Sequence, residues 1–237
     1  MKTPSVLIKA ITFGFYISLC LALSPAKSFA AEFTTTQVKA LNQMEVEAKT
    51  IVETLLTKNT ETSRQHYNQL TLLIHQLQNS AREKQYNEKL SRELMMAYSW
   101  LRIIDIEAAR QAWVEAAIGA NQLTGMIIQA SNFPTMMERD LEWLDYLGRD
   151  IQLLMMEDPH SNADLLKFRK ADMSNTWERV SAALIENFKN KPLVLQGKAL
   201  ESDIIASTKP DEIIAKSEQW LTFIRSIEDT GRIQPGE

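Results

Sequence analysis

Three histidines are the first side chains to consider, because imidazole binds metal ions and transfers protons near neutral pH. His66 and His75 are nine residues apart in one segment of helical pattern. At about 100° per residue this separation puts them on opposite faces of a helix, so they do not share a metal ion. His66 is predicted to be a core or boundary residue, His75 a solvated one, and His160 part of a surface turn. The sequence therefore predicts no metal site and assigns no cofactor.

Methionine is abundant, with ten in the chain, including the adjacent pairs Met95-Met96, Met136-Met137 and Met155-Met156. Thioether sulfur is a soft donor for Cu(I), but neighbouring residues on a helix diverge by about 100°, and one member of each pair fits an apolar stripe. Core filling and adaptable interfaces explain the pairs better. Haem held by His66 and one methionine remains an alternative, with the candidates Met95, Met96, Met126 and Met173.

A row of small residues recurs at intervals of four: Ala108, Ala112, Ala116 and Ala120. Small side chains let helix backbones approach closely. The row is interpreted as tight helix packing, and the alternative is a groove for a ligand or for a helix of a partner.

The motifs of common hydrolases are missing: there is no Gly-x-Ser-x-Gly elbow, phosphate-binding glycine loop or His-Glu-x-x-His sequence. The acidic pairs Glu157-Asp158 and Asp211-Glu212 fall at predicted helix ends, where solvated carboxylates are ordinary. We therefore predict that the protein is not an enzyme, and we assign no catalytic residue.

Residues 1–30 have the pattern of a secretory signal peptide. Lys2 and Lys9 give a positive start, Ala10 to Leu23 form a mostly apolar run, and Ser28-Phe29-Ala30 offers a cleavage site. The apolar run is shorter than the roughly 20 residues of a membrane-spanning helix. The sequence thus predicts an exported, periplasmic protein that is cut after Ala30 and has no stable membrane insertion.

Loss of this segment would change the composition in two ways. It removes the only cysteine, Cys20, so the mature chain would have neither disulfides nor thiolate sites. It also removes three lysines, which leaves 23 of the 26 basic residues against 30 acidic ones, a formal charge of about −7. Because no basic stripe is apparent, nucleic acid is not an expected partner.

Glycine and proline are scarce, with seven of each, and no proline occurs between Ala31 and Phe133. Apolar residues recur at helical spacing and period-two patterns are missing. The chain is therefore predicted to be all-α, an antiparallel bundle of about seven helices. The predicted helices start near Thr34, Glu61, Asn87, Asn132, Ser161, Val194 and Asp211.

The third predicted helix, from about Asn87 to Ala130, is unusually long. It is expected to form a spine shared by two groups of helices, with kinks at Gly119 or Gly125 as the alternative. The predicted organisation is a helical hairpin plus spine over residues 31–130, further helices packed on the spine over 131–230, and a flexible tail over 231–237.

The functional hypothesis is an exported, non-enzymatic protein that acts through protein–protein contact, as an adaptor, a chaperone-like factor or an accessory subunit. A protein partner or a homo-oligomer is expected. The alternative is a helical carrier or sensor that holds a small apolar ligand, haem or copper near the alanine row.

Overall fold

The computed structural model describes residues 34–83 and 88–232, which form eight α-helices and no strand. This confirms the all-α class. The predicted signal segment and residues 233–237 lie outside the described residues. The helices are α1 (Thr35–Leu56), α2 (Thr60–Glu83), α3 (Glu88–Ala109), α4 (Trp113–Ala130), α5 (Met136–Glu157), α6 (Ala163–Phe188), α7 (Lys191–Ala206) and α8 (Pro210–Arg232).

Helix α1 begins where the sequence indicates. The Thr34 side chain accepts the backbone N–H of Gln37, and the Gln37 side chain accepts that of Thr34, which makes a capping box. Apolar side chains at helical spacing in α1, including Leu41, Met44 and Ile51, are buried. At the other end of the chain, α8 extends to Arg232, two residues into the range predicted to be a flexible tail.

The long third helix was wrongly predicted, because the chain breaks between α3 and α4. Gln111 adopts a left-handed conformation with φ 58°. The backbone N–H of Gln111 donates to the Ala108 carbonyl at 3.0 Å and that of Ala112 to the Glu107 carbonyl at 2.9 Å, the pattern of a Schellman motif. Glycine usually occupies the left-handed position, and glutamine gave no signal of the break.

Gly119 and Gly125, the predicted sites of a kink, lie within α4 and serve close packing instead. A Cβ added at Gly119 would lie 3.1 Å from the Ile104 side chain, and one at Gly125 would lie 2.8 Å from the Tyr146 ring. Helix α4 is buried on almost all sides from Ala116 to Ile128, as expected for a helix with neighbours all round.

The helices pack as two groups of four, and in each group every helix contacts two neighbours, so that the contacts form a closed ring. In the first ring, α1 and α3 each contact both α2 and α4. In the second ring, α6 and α8 each contact both α5 and α7. The two rings meet where α4 packs against α5. Two buried helices therefore join the rings, in place of one spine.

An aromatic cluster fills the second ring. Trp177 meets Trp220 and Phe223 edge-on, with ring centroids 5.5 and 5.7 Å apart. Gly148 lies against Trp220, and Gly197 lies against Trp177, where a side chain would collide with the rings. These glycines let α5 and α7 approach the cluster and fix their positions relative to α6 and α8.

No helix among the described residues has a sufficiently long apolar stretch to cross a membrane.

Candidate functional site

A groove of about 650 Å³ opens at the end of the second ring where α6 begins. Six of its lining residues share one face of α6, at helical spacing. They are Ala163, Leu166, Lys167, Lys170, Ala171 and Ser174. Three of the six are small, which leaves space beside this face, and two are lysines. We call this cavity the α6 groove.

The other walls of the α6 groove come from three places in the chain. The end of α5 and the loop after it contribute Met155, Pro159 and His160. The end of α7, the loop after it and the start of α8 contribute the rest, namely Ile205, Ser207, Thr208, Pro210 and Ile213. None of the residues that line the α6 groove is acidic.

The relative lengths of the helices explain why the groove exists. Helix α6 has 26 residues and α7 only 16. Lys170 marks the place where α7 ends, because its Nζ donates to the carbonyls of Ile205 at 3.4 Å and of Ser207 at 3.0 Å. The turns of α6 before Lys170 therefore have no α7 beside them, and the 207–209 loop covers them incompletely.

Lys170 is a half-buried cation held by carbonyl groups. Burial lowers the pKa of its ammonium group below the ordinary lysine value. Neither Lys170 nor Lys167 forms an ion pair with a carboxylate of the described residues. The positive charge at the α6 groove is thus not compensated within the described part of the fold.

Two carboxylates next to the α6 groove have partners of their own. Glu201 is buried, accepts a hydrogen bond from the Ser174 hydroxyl and lies 2.7 Å from Lys198 Nζ. Glu212 accepts a hydrogen bond from Ser207 and lies 2.7 Å from Lys209 Nζ. These carboxylates therefore do not neutralise the two lysines of the groove.

Asp158 lies in the loop that carries His160. Its carboxylate accepts the backbone N–H groups of His160 and Ser161, both at 3.1 Å. It therefore helps to fix the loop that forms one wall of the α6 groove.

A second cluster of charges joins α1 to α5. Lys49 Nζ lies 2.8 Å from Glu45, 2.6 Å from Glu142 and 3.1 Å from Asp145, whose carboxylate also contacts Arg149. Although burial alone would lower the pKa of Lys49, these carboxylates raise it above its ordinary value. Burial raises the pKa of Glu45 to about 8, against the attraction of Lys49. We call this the Lys49 cluster.

A third polar group is enclosed between α4, α5 and α6. Arg169 donates to Asp150 at 2.6 Å and to the Tyr146 hydroxyl at 2.8 Å. The Gln122 amide donates to Asp150 at 2.7 Å and accepts from the Tyr146 hydroxyl at 3.1 Å. The Asn121 amide also donates to Asp150, at 3.2 Å. Because these buried groups form hydrogen bonds with one another, we interpret the Arg169 network as structural.

The histidines considered first lie in different surroundings. His66 is half-buried, with Nδ1 2.6 Å from a Glu47 oxygen. His75 is exposed, with Nδ1 2.8 Å from the Tyr98 hydroxyl oxygen, and His160 lines the α6 groove. Among the described residues, no group of three His, Cys, Asp or Glu side chains lies in an arrangement that could hold a metal ion.

The methionine pairs divide between interior and surface. Met95, Met136 and Met156 are exposed, by 71%, 62% and 39%, whereas Met155 is buried and lines the α6 groove. Each pair thus has a member that faces solvent, as the divergence of neighbouring helical residues predicts. The single methionines proposed as haem ligands, Met126 and Met173, are both buried in the core.

The alanine row is not a groove among the described residues. The break after α3 divides it, so that Ala108 lies in α3 and Ala112 between the helices. Ala116 and Ala120 are fully buried in α4. The row belongs to close helix packing, which was the preferred interpretation of the sequence.

Three of the four acidic residues in the pairs at helix ends, Glu157, Asp158 and Glu212, have structural partners. Glu157 accepts a hydrogen bond from Asn162 at 2.8 Å, Asp158 fixes the His160 loop, and Glu212 pairs with Lys209. Sequence reasoning missed Lys167, Lys170 and Ser174. The available signal was the spacing of Ala163, Ala171 and Ser174 beside the apolar stripe of α6, but lysines on such a face ordinarily indicate a solvated surface.

Comparison with known proteins adds no identity to this geometry: no protein family, curated protein or solved structure matches the chain significantly.

Proposed function

We propose that the protein is an exported, non-enzymatic binding protein whose α6 groove holds a small apolar molecule, as a carrier or sensor does. The observation that carries this proposal is the groove itself. Its volume of about 650 Å³ is within the range of small-molecule sites, roughly 300 to 1,000 Å³. Buried apolar side chains from three helices line it, including Met155, Leu166 and Ile213.

Two polar contacts favour binding over catalysis. The hydroxyl of Ser174 donates to Glu201, and that of Ser207 donates to Glu212. Each of these carboxylates also pairs with a lysine, so both hydroxyls take part in bonds that hold α6, α7 and α8 together. A serine nucleophile needs a base that is free to accept its proton during the reaction. Export to the periplasm remains a proposal that rests on residues 1–30 alone.

A small neutral fluorophore tests the proposed binding. The experiment titrates the chain from Ala31 onward with 1-aminoanthracene and compares two variants. Ala171→Trp fills the α6 groove, whereas Ala182→Trp is a matched control at another exposed alanine of α6 that does not line the groove. We expect saturable binding by the unmodified chain and Ala182→Trp, and at least about tenfold weaker binding by Ala171→Trp, as expected when a ligand pocket is filled. Absence of saturable binding, or equal binding by all three proteins, would refute the proposal.

The contact function is the second candidate, and three exposed apolar side chains support it. Ile185, Phe188 and Leu195 flank the turn between α6 and α7, and Leu195 is 70% exposed. Exposed apolar surface is typical of protein interfaces where such side chains adjoin. A partner protein or a second copy of the chain would cover them. Sedimentation of the unmodified chain and of Phe188→Ser tests the homo-oligomer: association that the substitution abolishes supports it, and a monomer at all concentrations refutes it.

A further inference from the structure

The charge of the α6 groove narrows the class of ligand. Removing a lysine ammonium from water is unfavourable unless a partner replaces the lost hydration. Lys170 has two carbonyl partners, the carbonyls of Ile205 and Ser207, and no carboxylate partner among the described residues. An ammonium group has three hydrogens to donate. One donor of Lys170 is therefore left for a further acceptor.

Lys167 strengthens this arrangement. It lies three residues before Lys170 and lines the same groove, so both lysines belong to one face of α6. The nearby carboxylates of Glu201 and Glu212 are already paired with Lys198 and Lys209. An acid group that enters the groove would meet two cations and no lining carboxylate.

The apolar residues of the groove wall indicate which kind of group the rest of the ligand contains. Met155, Leu166 and Ile213 form a buried surface, and Ile205 lies at its exposed edge. A hydrocarbon chain that lies against these side chains would itself leave water, and burial of apolar area is the main favourable contribution to binding of this kind. The apolar wall and the lysines lie in the same cavity, so one molecule can use both.

The expected preference of the α6 groove for an anion comes from residues in the groove and not from the net charge of the chain. The whole chain has a formal charge of −4, so its overall field disfavours the approach of anions. Attraction of an acid group would therefore come from Lys167 and Lys170 themselves. Neutralisation of these two residues is expected to remove it.

We propose that the α6 groove binds a single-chain anionic amphiphile of the fatty-acid class, with its acid group beside Lys167 and Lys170 and its chain along the apolar wall. This inference rests on the function proposed above.

Displacement of 1-aminoanthracene tests the inference. The competitors are dodecanoate, dodecanol and dodecyltrimethylammonium, all below the concentrations at which they form micelles. Because hydrogen bonds to charged groups are stronger than neutral ones, we expect dodecanoate to bind at least about tenfold more tightly than dodecanol. The cationic amphiphile is expected to bind most weakly. Equal affinity for dodecanoate and dodecanol would overturn the inference and leave the proposed function intact.

Variants of the lysines locate the acid group. In the double variant Lys167→Met/Lys170→Met, we expect the affinity for dodecanoate to fall to about that for dodecanol. In Lys167→Met alone, the affinity for dodecanoate should fall by a smaller factor. Lys191→Met, an exposed lysine at the other end of the α6–α7 pair, is the matched control and should keep the preference. Retained 1-aminoanthracene binding shows that each variant is folded. A preference for dodecanoate that survives in the double variant overturns the inference, whereas an unmodified chain that fails to bind 1-aminoanthracene refutes the proposed function as well.

Discussion

Lys49 and Lys170 are both withdrawn from solvent, yet their surroundings differ. Lys49 lies at the contact between the two rings, within 3.1 Å of carboxylate oxygens from Glu45, Glu142 and Asp145. Lys170 lies in the α6 groove, where it has only backbone carbonyls as hydrogen-bond partners among the described residues. The pKa of Lys49 is raised by its carboxylates, whereas that of Lys170 is lowered by burial.

These surroundings indicate that Lys49 is a structural cation, whereas Lys170 is suited to binding a ligand. Ion pairs that are mostly buried hold helices in register, because removing either partner leaves the other without compensation. A half-buried ammonium without a carboxylate partner keeps its charge available to a molecule that enters from solvent. The same residue type therefore has different consequences at the two places.

The largest effect is expected in the Arg169 network, which is of the structural kind. Asp150→Asn removes the carboxylate that accepts hydrogen bonds from Arg169, Gln122 and Asn121. Because Arg169 stays buried and loses its ion pair with Asp150, the free energy of unfolding should fall by about 3 to 5 kcal/mol. Urea unfolding measures it. Asp105→Asn, in the exposed pair with Arg64, is the control and should cost less than about 1 kcal/mol.

A direct test of the comparison is Lys49→Met beside Lys170→Met, again by urea unfolding at pH 7. Lys49→Met should lower the free energy of unfolding by about 3 kcal/mol, because it leaves carboxylates of the cluster unpaired. Lys170→Met should change it by less than about 1 kcal/mol, since the lost bonds to two carbonyls are offset by relief of the buried charge. Equal losses in the two variants would contradict the distinction.

A smaller effect should follow from crowding Tyr146, which belongs to the Arg169 network. Gly125→Ala places a methyl group 2.8 Å from the Tyr146 ring, so the ring or its helix must move. We expect a loss of about 1 to 3 kcal/mol in the free energy of unfolding. At Gly119 the added methyl group would lie 3.1 Å from the Ile104 side chain. Gly119→Ala should therefore cost less, and the reverse order would show that the ring of Tyr146 moves freely.

The pH dependence of stability tests the Lys49 cluster. The pKa of Glu45 is about 8 in the folded protein, against an ordinary value of 4.5 for a solvated glutamate. The folded state therefore holds a proton that the unfolded state releases in this interval. The free energy of unfolding should fall as pH rises from about 4.5 to 8, by at most about 1.4 kcal/mol per pH unit. The lowered pKa of Asp145 changes the free energy of unfolding with pH only below its ordinary pKa of 3.8.

Glu45→Gln isolates the contribution of Glu45 from those of the other ionisable groups. The difference in unfolding free energy between Glu45→Gln and the unmodified chain should grow in favour of the variant as pH rises. Parallel pH profiles for the two proteins would show that Glu45 is ionised throughout.

The sequence was sufficient to predict most of the helices, but it did not predict the break after α3. Apolar spacing and the scarcity of glycine and proline were sufficient to predict the helices and several of their limits, such as the start of α1 near Thr34. The break after α3 was missed because Gln111 takes the left-handed position that glycine usually fills. Tertiary packing of α3 and α4 overrides the continuous helical pattern from residue 87 to 130.

The α6 groove could not be predicted from the sequence. It exists because α7 ends beside Lys170, and the sequence contains no sign of which part of α6 lacks a neighbour. Lys167 and Lys170 look like ordinary surface lysines until the positions of Glu201 and Glu212 are known. The histidines were easier to notice, and the sequence predicted no metal site for them and kept His66 only as an alternative haem ligand. In the structure His66 and His75 contact different partners, Glu47 and Tyr98.

Native mass spectrometry of the untagged protein, purified from cells that produce it, tests the central claim most directly. The spectra of the folded and denatured protein are compared, and Ala171→Trp is treated identically. We expect a surplus mass on the folded protein, equal to one single-chain acid, that is lost on denaturation and is missing from Ala171→Trp. Identical folded and denatured masses, or a surplus that Ala171→Trp retains, would contradict a ligand in the α6 groove.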